Sequence, residues 1–483
     1  MQKNIAGPIS PDDRLFPGMP GQRLSALGLC ATALLAAAAH ADTVTTSAAA
    51  NAADADGDDD DDDLQEVTVS GVRSLLHDKL ADTPLDTPQS ITVIGNELIS
   101  AQGATRLEDA LRNVPGITLN AGEGAARGDT INIRGFSAFN DFFIDGIRDA
   151  AVYNRDIFDA DAVEVLEGPS AVLFGRGSTG GAVNQVTKAP LLTPLDSVAT
   201  LFGTNDLLRA TGDFNFPFDS AAALRLNLMG ESSEAPGRDF VKNRRWGVAP
   251  ALGFGIGEAD TLTLALLHQQ EDNVPDSGIP FVDGRPAPVP LDSDYGLVSD
   301  RNTTQVDIAT LRYKHDFSSV VSIADTLRYA HYEFDYQQAM PNFGTDVPGP
   351  DEPLQDILVG RDYPASSGIE TNLDEQLDLT AHLQTGPVTH ALVTGVEFAR
   401  QTYDLDRYTN PFNSDNDWVP ETPLLAPNPF EPLPFLRPVS STQDTTAHAA
   451  SFYATDTIGF GPHFDLLASG RFDRFQADYD QVN

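Results

Sequence analysis

The sequence holds one cysteine, Cys30, and only 30 lysines and arginines against 71 aspartates and glutamates. A single cysteine excludes a disulfide scaffold, a cysteine-ligated zinc site and a redox CxxC pair. The formal net charge of −41 argues against a nucleic-acid partner, because phosphate recognition needs a basic face. The nine histidines are scattered and form no HExxH motif, so we expect a protein that is not an enzyme.

Long apolar runs are scarce as well. After residue 197 no run approaches the roughly 18 residues of a membrane helix. The one notable run, residues 24–39, follows Arg14 and Arg23 and ends in Ala39-His40-Ala41, which is a typical secretory cleavage site. Residues 1–41 are therefore predicted to be a signal peptide, with Met1 or Met19 as its start. Cleavage removes Cys30, so the mature protein contains no cysteine.

Composition divides the rest of the chain. Residues 42–63 are rich in alanine and then aspartate, and we expect an acidic disordered linker there. Residues 64–72 begin with the alternating segment LQEVTVS, which is either a stray edge strand or a peptide that adds to another protein's sheet.

Residues 73–190 have the composition of a small α/β domain. Strands are predicted over 87–94, 131–134, 142–145, 162–166 and 182–186, with helices over 97–102 and 105–112. Thr105 with Glu108 three residues later predicts a capping box at the start of the second helix.

Residues 191–483 contain about eleven segments that alternate apolar and polar residues. Leu262, Leu264 and Leu266, for example, would share one face of a strand. The aromatic residues Phe214, Phe216 and Phe218 cluster at a strand end. Apolar-out, polar-in strands with aromatic ends are typical of a transmembrane β-barrel, although a soluble β-sandwich shows the same period. Short and long connections alternate from strand to strand, which favours the barrel.

Several motifs follow one another in a specific order. They are LQEVTVS at 64–70, INIRGF at 131–136, FIDGIRD at 143–149 and VEVLEGPSAVLFGRGSTGGAVNQVTK at 163–188. Over residues 64–190 the chain resembles the TonB-dependent outer-membrane siderophore receptors, most of all those for ferric catecholates.

This resemblance implies an all-β transmembrane barrel of 22 strands with an N-terminal α/β plug domain. It also implies energised import of a ferric siderophore across the outer membrane of a Gram-negative bacterium. The TonB box would contain Leu64, Glu66, Val67, Thr68 and Val69, and the partners would be TonB with its inner-membrane energising complex and the outer-membrane lipid. Since residues 191–483 supply about half the strands of such a barrel, we expect the sequence to be incomplete at its C-terminus.

The resemblance also supplies candidate ligand-binding residues, which are Arg134, Arg148 and Tyr153. Guanidinium groups suit an anionic chelate and aromatic rings can stack on catechols, but either arginine could instead form a salt bridge between plug and barrel wall. No covalent or permanent cofactor is expected, because iron would arrive as ferric siderophore. Catecholate, hydroxamate and carboxylate chelates stay open, as do import of another scarce nutrient and an exported soluble β-sandwich that binds a ligand.

Overall fold

The computed structural model describes residues 89–120, 128–168, 170–343, 348–349, 352–408, 420–432, 438–461 and 463–482. The predicted signal peptide, acidic linker and TonB box lie outside the described residues. The described residues all fall within one compact unit, Ala49–Asn483. No helix in these ranges is both long enough and apolar enough to cross a membrane.

Within the described residues the strands of the N-terminal domain are β1 (Ser90–Gly95), β2 (Ile117–Leu119), β3 (Ile131–Ile133), β4 (Phe136–Ser137), β5 (Phe142–Ile144), β6 (Ile147–Arg148), β7 (Ala160–Glu167) and β8 (Gly181–Thr187). The domain is built on a five-stranded sheet with the strand order β1-β7-β8-β5-β6. Only β5 and β8 pair in parallel. Strand β7 lies between two neighbours and is buried along almost its whole length. The buried Glu164 carboxylate on it accepts a hydrogen bond from the Asn184 side chain of β8 at 2.8 Å.

Three short helices complete this domain: α1 (Asn96–Gln102), α2 (Leu107–Leu111) and α3 (Ala171–Phe174). The capping box predicted from Thr105 and Glu108 is wrong. The helix starts one residue later than expected, with Arg106 as N-cap, so Asp109 occupies the third helical position. The Asp109 carboxylate accepts a hydrogen bond from the Arg106 N–H at 3.2 Å, whereas Glu108 accepts one from the Thr130 N–H at 3.4 Å.

Two of the sequence motifs form tight hairpin turns. Arg134 and Gly135 join β3 to β4 with φ of 51° and 84°, and Asp145 and Gly146 join β5 to β6 with φ of 49° and 80°. Positive φ at both central residues defines a type I′ turn, whose twist matches that of the flanking strands. The type I′ turn conformation therefore explains why glycine follows Arg134 and Asp145 in these motifs.

The remainder of the chain forms an antiparallel sheet of eleven strands, here called the wall sheet, as the sequence predicts. Among the described residues the sheet is open, with its first and last strands at the two edges. Its strands are β9 (Leu195–Phe202), β10 (Leu208–Asp219), β11 (Ala222–Glu234), β12 (Lys242–Phe254), β13 (Asp260–Asn273), β16 (Arg301–Ser318), β17 (Val321–Gln337), β20 (Ala365–Thr385), β21 (Val388–Tyr408), β23 (Val439–Gly459) and β24 (Asp465–Val482).

Burial on the wall sheet is the reverse of that in a soluble protein. Leu262, Leu264 and Leu266 on β13 are exposed, whereas Gln269 and Glu271 on the opposite face of the same strand are buried. A sheet whose apolar face looks outward and whose polar face packs inward fits a hydrocarbon solvent outside. The predicted order of a small α/β domain followed by a β sheet with an outward apolar face is confirmed.

Connections differ at the two ends of the wall sheet. Short turns join β10 to β11, β12 to β13, β16 to β17, β20 to β21 and β23 to β24, and we call this side the short-turn end. At the other side, the long-loop end, the connections carry small elements of their own. These are β14 (Phe281–Val282), β15 (Arg285–Pro286), β18 (Met340–Asn342), a 3₁₀ turn (Leu354–Asp356), β19 (Leu358–Asp362) and β22 (Thr422–Pro423).

Candidate functional site

A cavity of about 580 Å³ lies between the N-terminal domain and the wall sheet. The domain contributes Asn140 and the segment that follows β6, and the wall contributes residues from β16 to β24 such as Tyr332 and Phe475. These wall residues come from the parts of their strands nearer the long loops, so the cavity lies towards the long-loop end. The cavity lining includes both cationic and aromatic side chains.

Arg148 lines this cavity, as does Tyr153, so two of the three predicted ligand residues meet there. The Arg148 guanidinium already has several partners. Its Nη2 donates to the carbonyl oxygens of Phe174 and Arg176, each at 2.7 Å, and its Nη1 donates to the carbonyl of Asn140. Its Nη1 also lies 3.5 Å from the Asp141 carboxylate. Arg148 therefore ties together the loops that form the cavity floor.

Tyr153 belongs to a buried network centred on Asp149. The Tyr153 hydroxyl donates to one carboxylate oxygen at 2.8 Å, and the hydroxyl of Tyr332 on β17 donates to the other at 2.6 Å. Arg155 Nε donates to the same carboxylate at 2.8 Å and its Nη2 donates to the Asp149 and Ala151 carbonyls. The cavity floor is thus held in one arrangement before any ligand arrives.

Burial also affects the protonation of Tyr153 and of the neighbouring Asp129. Desolvation, reinforced by the nearby Asp149 carboxylate, raises the pKa of Tyr153 well above its usual value, so the ring keeps its hydroxyl proton. Desolvation raises the pKa of Asp129 to about 7, although Arg155 opposes the shift. The Asp129 Oδ1 atom is buried without a hydrogen-bond partner among the described residues.

Arg176 is a second cationic residue of the cavity and is not among the ligand residues predicted from the sequence. It follows α3, lies on the surface of the cavity, and holds its guanidinium carbon 3.6 Å from the centroid of the Phe475 ring on β24. Within the described part of the chain no carboxylate is in ion-pair contact with it. Nothing in the local sequence pairs Arg176 with a residue 299 positions later, and only the assembled fold brings the two together.

Arg134, the third predicted ligand residue, does not line this cavity. Its Nη2 lies 2.7 Å from the Glu167 carboxylate, and its side chain is 49% exposed. The left-handed turn at Arg134 aims the side chain across the end of β7 towards Glu167. Its predicted contact with a ligand stays a prediction.

A second buried network joins the domain to the wall. Arg209 on β10 donates two hydrogen bonds to Asp156, at 2.7 and 2.8 Å, and Arg245 on β12 approaches the same carboxylate at 3.3 Å. Glu231 on β11 accepts hydrogen bonds from both arginines. Although burial alone would raise the pKa of Asp156, the two guanidinium groups hold it below its usual value.

Comparison with known proteins gives two family matches along the chain. The model of the TonB-dependent receptor plug domain matches residues 83–182, and the model of the TonB dependent receptor-like beta-barrel matches residues 246–483. The catecholate siderophore receptor Fiu of Escherichia coli strain K12 is 33% identical over 420 residues, which are 82% of this chain and 54% of that receptor.

Solved structures agree in fold. The open form of the ferric-catecholate import receptor Fiu from E. coli K12 superposes with a TM-score of 0.76 at 32% identity, covering 84% of this chain and 62% of that one. The siderophore receptor PiuA from Acinetobacter baumannii gives a TM-score of 0.76 at 31% identity, with coverage of 84% and 60%. The chain spans about half the length of the curated relatives it matches.

Proposed function

This chain belongs to the TonB-dependent receptors of the Gram-negative outer membrane, and from that premise we propose that it imports a ferric siderophore with energy delivered through TonB. The proposal rests above all on the cavity at the long-loop end, which combines an accessible guanidinium with aromatic rings. In this family's orientation the long loops face the cell exterior, where a scarce chelate would be captured.

The ligand class that fits this cavity best is a ferric catecholate. Such chelates are anionic, and a guanidinium offers a planar donor set whose charge persists at every physiological pH. Arg176 presents that charge above Phe475, while Tyr153 and Tyr332 present rings from the cavity floor and wall. The 33% identity to a receptor described as a catecholate siderophore receptor supports the same class.

We propose different roles for the two arginines that line the cavity. Arg176 would contact the chelate, whereas Arg148 would act as a positioning residue that holds the Asn140, Phe174 and Arg176 carbonyls around it. Removing Arg148 would therefore disturb the loops for every ligand, charged or neutral. Removing the Arg176 charge would act mainly on anionic chelates.

We expect Arg176→Gln to weaken binding of a ferric catecholate by roughly ten- to a hundredfold, because a hydrogen bond to a charged group is worth about 1.5–3 kcal/mol. The measurement is equilibrium binding of iron-loaded catecholate, hydroxamate and carboxylate siderophores to the purified full-length protein. A neutral hydroxamate chelate should lose much less affinity than the catecholate.

Arg112→Gln is the matched control, since it removes the same charge from the exposed end of α2, outside the cavity. Arg134→Gln tests the remaining sequence prediction in the same assay. Unchanged catecholate affinity in Arg176→Gln, or an equal loss in Arg112→Gln, would contradict the proposed ligand contact. Failure of all three chelate classes to bind the unmodified protein would favour import of another nutrient.

A further inference from the structure

The cavity between the N-terminal domain and the wall sheet also contains a carboxylate. Glu370, near the long-loop end of β20, lines it. Its Oε1 accepts a hydrogen bond from the side-chain amide of Asn372 at 3.0 Å. Among the residues that the structure describes, no donor contacts Oε2, and no lysine, arginine or histidine is in ion-pair contact with this carboxylate. The cavity therefore presents a negative charge as well as the positive charge of Arg176.

The arginines of the cavity floor are engaged with other carboxylates. Arg155 Nε lies 2.8 Å from the Asp149 carboxylate, and its Nη1 lies 3.5 Å from that of Asp129. Arg148 lies 3.5 Å from Asp141. Because each of these positive charges already has a partner, the charge of Glu370 is left without one inside the cavity.

Tyrosine rings surround this carboxylate. Glu370 lies directly opposite Tyr332 on β17 and Tyr403 on β21, and both tyrosines line the cavity. The Tyr153 ring centroid is 5.9 Å from that of Tyr332. We call Glu370 with these three tyrosines the acidic subsite. Aromatic rings attract cations through their quadrupole, and a carboxylate adds the opposite charge, so this combination suits an ammonium group.

The acidic subsite is well separated from Arg176. Phe475, which contacts Arg176, is in register with Asp374 of β20 through Ala449 and Ala399. At about 4.8 Å per strand and 3.3 Å per residue, the backbone positions of Phe475 and Glu370 are roughly 15–20 Å apart. An occupant of both places must therefore carry its positive group at a distance from its anionic centre.

We propose that the acidic subsite binds an ammonium group of the imported chelate, a proposal that rests on the proposed import of a ferric siderophore. The chelate is then a ferric catecholate with a pendant amine. Its anionic iron centre contacts Arg176, and its ammonium group contacts Glu370 and the rings of Tyr332 and Tyr403. A catecholate without the amine would leave Glu370 uncompensated near an anion, so the cavity selects within the catecholate class.

The test uses two synthetic ferric tris-catecholates that differ only at the end of one flexible arm. One arm ends in trimethylammonium, and the other ends in a tert-butyl group of the same shape without the charge. The unmodified full-length protein should bind the ammonium chelate about tenfold or more tightly in equilibrium binding, because a contact to a charged group is added. Glu370→Gln keeps an acceptor for Asn372 and should lose this preference. It should bind the tert-butyl chelate at least as well as before, which shows that the variant is folded.

Glu375→Gln is the matched control, because it removes the same charge from an exposed position on the same strand, outside the cavity. It should keep the preference for the ammonium chelate. The proposal is overturned if the unmodified protein binds the two chelates equally, if Glu370→Gln keeps the preference, or if Glu375→Gln loses it to the same extent. In each of these cases ferric catecholate binding persists, so the proposed function stands.

An iron-free ligand separates the two proposals. Binding of benzyltrimethylammonium to the full-length protein is measured by saturation-transfer NMR, and it should be present in the unmodified protein and lost in Glu370→Gln. If neither chelate binds, the proposed siderophore import fails, and Glu370-dependent binding of benzyltrimethylammonium would still support an ammonium subsite. Absence of that binding, or its persistence in Glu370→Gln, would overturn the subsite.

Discussion

Replacing Asp156 by alanine is expected to weaken the packing of the N-terminal domain against the wall sheet. The free energy of this packing should become less favourable by about 3–5 kcal/mol. Asp156 is 2% exposed and compensates two buried guanidinium groups, those of Arg209 and Arg245. Without it, both arginines would depend on Glu231 alone, and one positive charge would stay buried without a counter-ion. Breaking a buried ion pair on one side costs far more than the pair itself contributes, because the stranded charge is desolvated.

Hydrogen exchange measures this effect in the full-length protein. Amides of β1, β7 and β8 should exchange more than about 100-fold faster in Asp156→Ala if domain release limits their exchange. Arg112→Ala is the control, because it breaks a more exposed pair with Asp109 and leaves the cap of α2 intact, and such pairs contribute at most about 1 kcal/mol. Equal exchange in the two variants would show that the buried network does not hold the domain in place.

The network also has a defined pH response. The pKa of Asp156 is lower in the folded protein than its ordinary value of 3.8, so its ionised form stabilises the folded state at neutral pH. This contribution is present above the unfolded pKa and is lost as the pH falls through the folded pKa. The contact should therefore persist through mildly acidic conditions.

Val67→Pro is expected to abolish siderophore uptake while leaving chelate binding at the cell surface intact. In the proposed TonB box, Val67 and Val69 would pair with a TonB strand through backbone hydrogen bonds. Proline removes the N–H donor and fixes φ, so the added strand would lose a hydrogen bond and its geometry. Because these residues precede the N-terminal domain, the cavity and the residues that line it should not change.

Two comparisons isolate that effect. Val67→Ile keeps the N–H and the β-branched side chain and should transport at the unmodified rate. Ala49→Pro places proline in the preceding acidic linker and should also leave the uptake rate unchanged. Uptake at the unmodified rate in Val67→Pro would remove the TonB-box assignment. Loss of surface binding in the same variant would mean that the substitution damages the receptor itself.

Local patterns predicted the secondary structure well because each depends on near neighbours. Alternation along β13 indicated the outward apolar face. Asp145, in contrast, was predicted as the last residue of a strand, but it lies with Gly146 in a type I′ turn that needs positive φ. Even there, the start of α2 was misplaced by one residue, since Asp109 and Glu108 can both serve as capping carboxylates. The choice depended on Thr130, which donates to Glu108 from a distant segment.

The site was harder to predict because its residues meet only in the assembled fold. Arg148 was selected as a ligand residue, but its donors are directed at three backbone carbonyls that no local pattern reveals. Arg176 was not selected, yet it lies on the cavity beside Phe475 from the far end of the chain. Motifs located the right loops, and long-range packing decided which side chain in them is accessible.

The most direct test of the proposed function is uptake of radioiron-loaded catecholate siderophore by cells whose only siderophore receptor is the full-length protein. The measurement compares strains with and without TonB. The account predicts saturable uptake in the first strain, and surface binding without uptake in the second. Uptake that continues without TonB, or the absence of any binding of ferric siderophore to cells that display the protein, would contradict it.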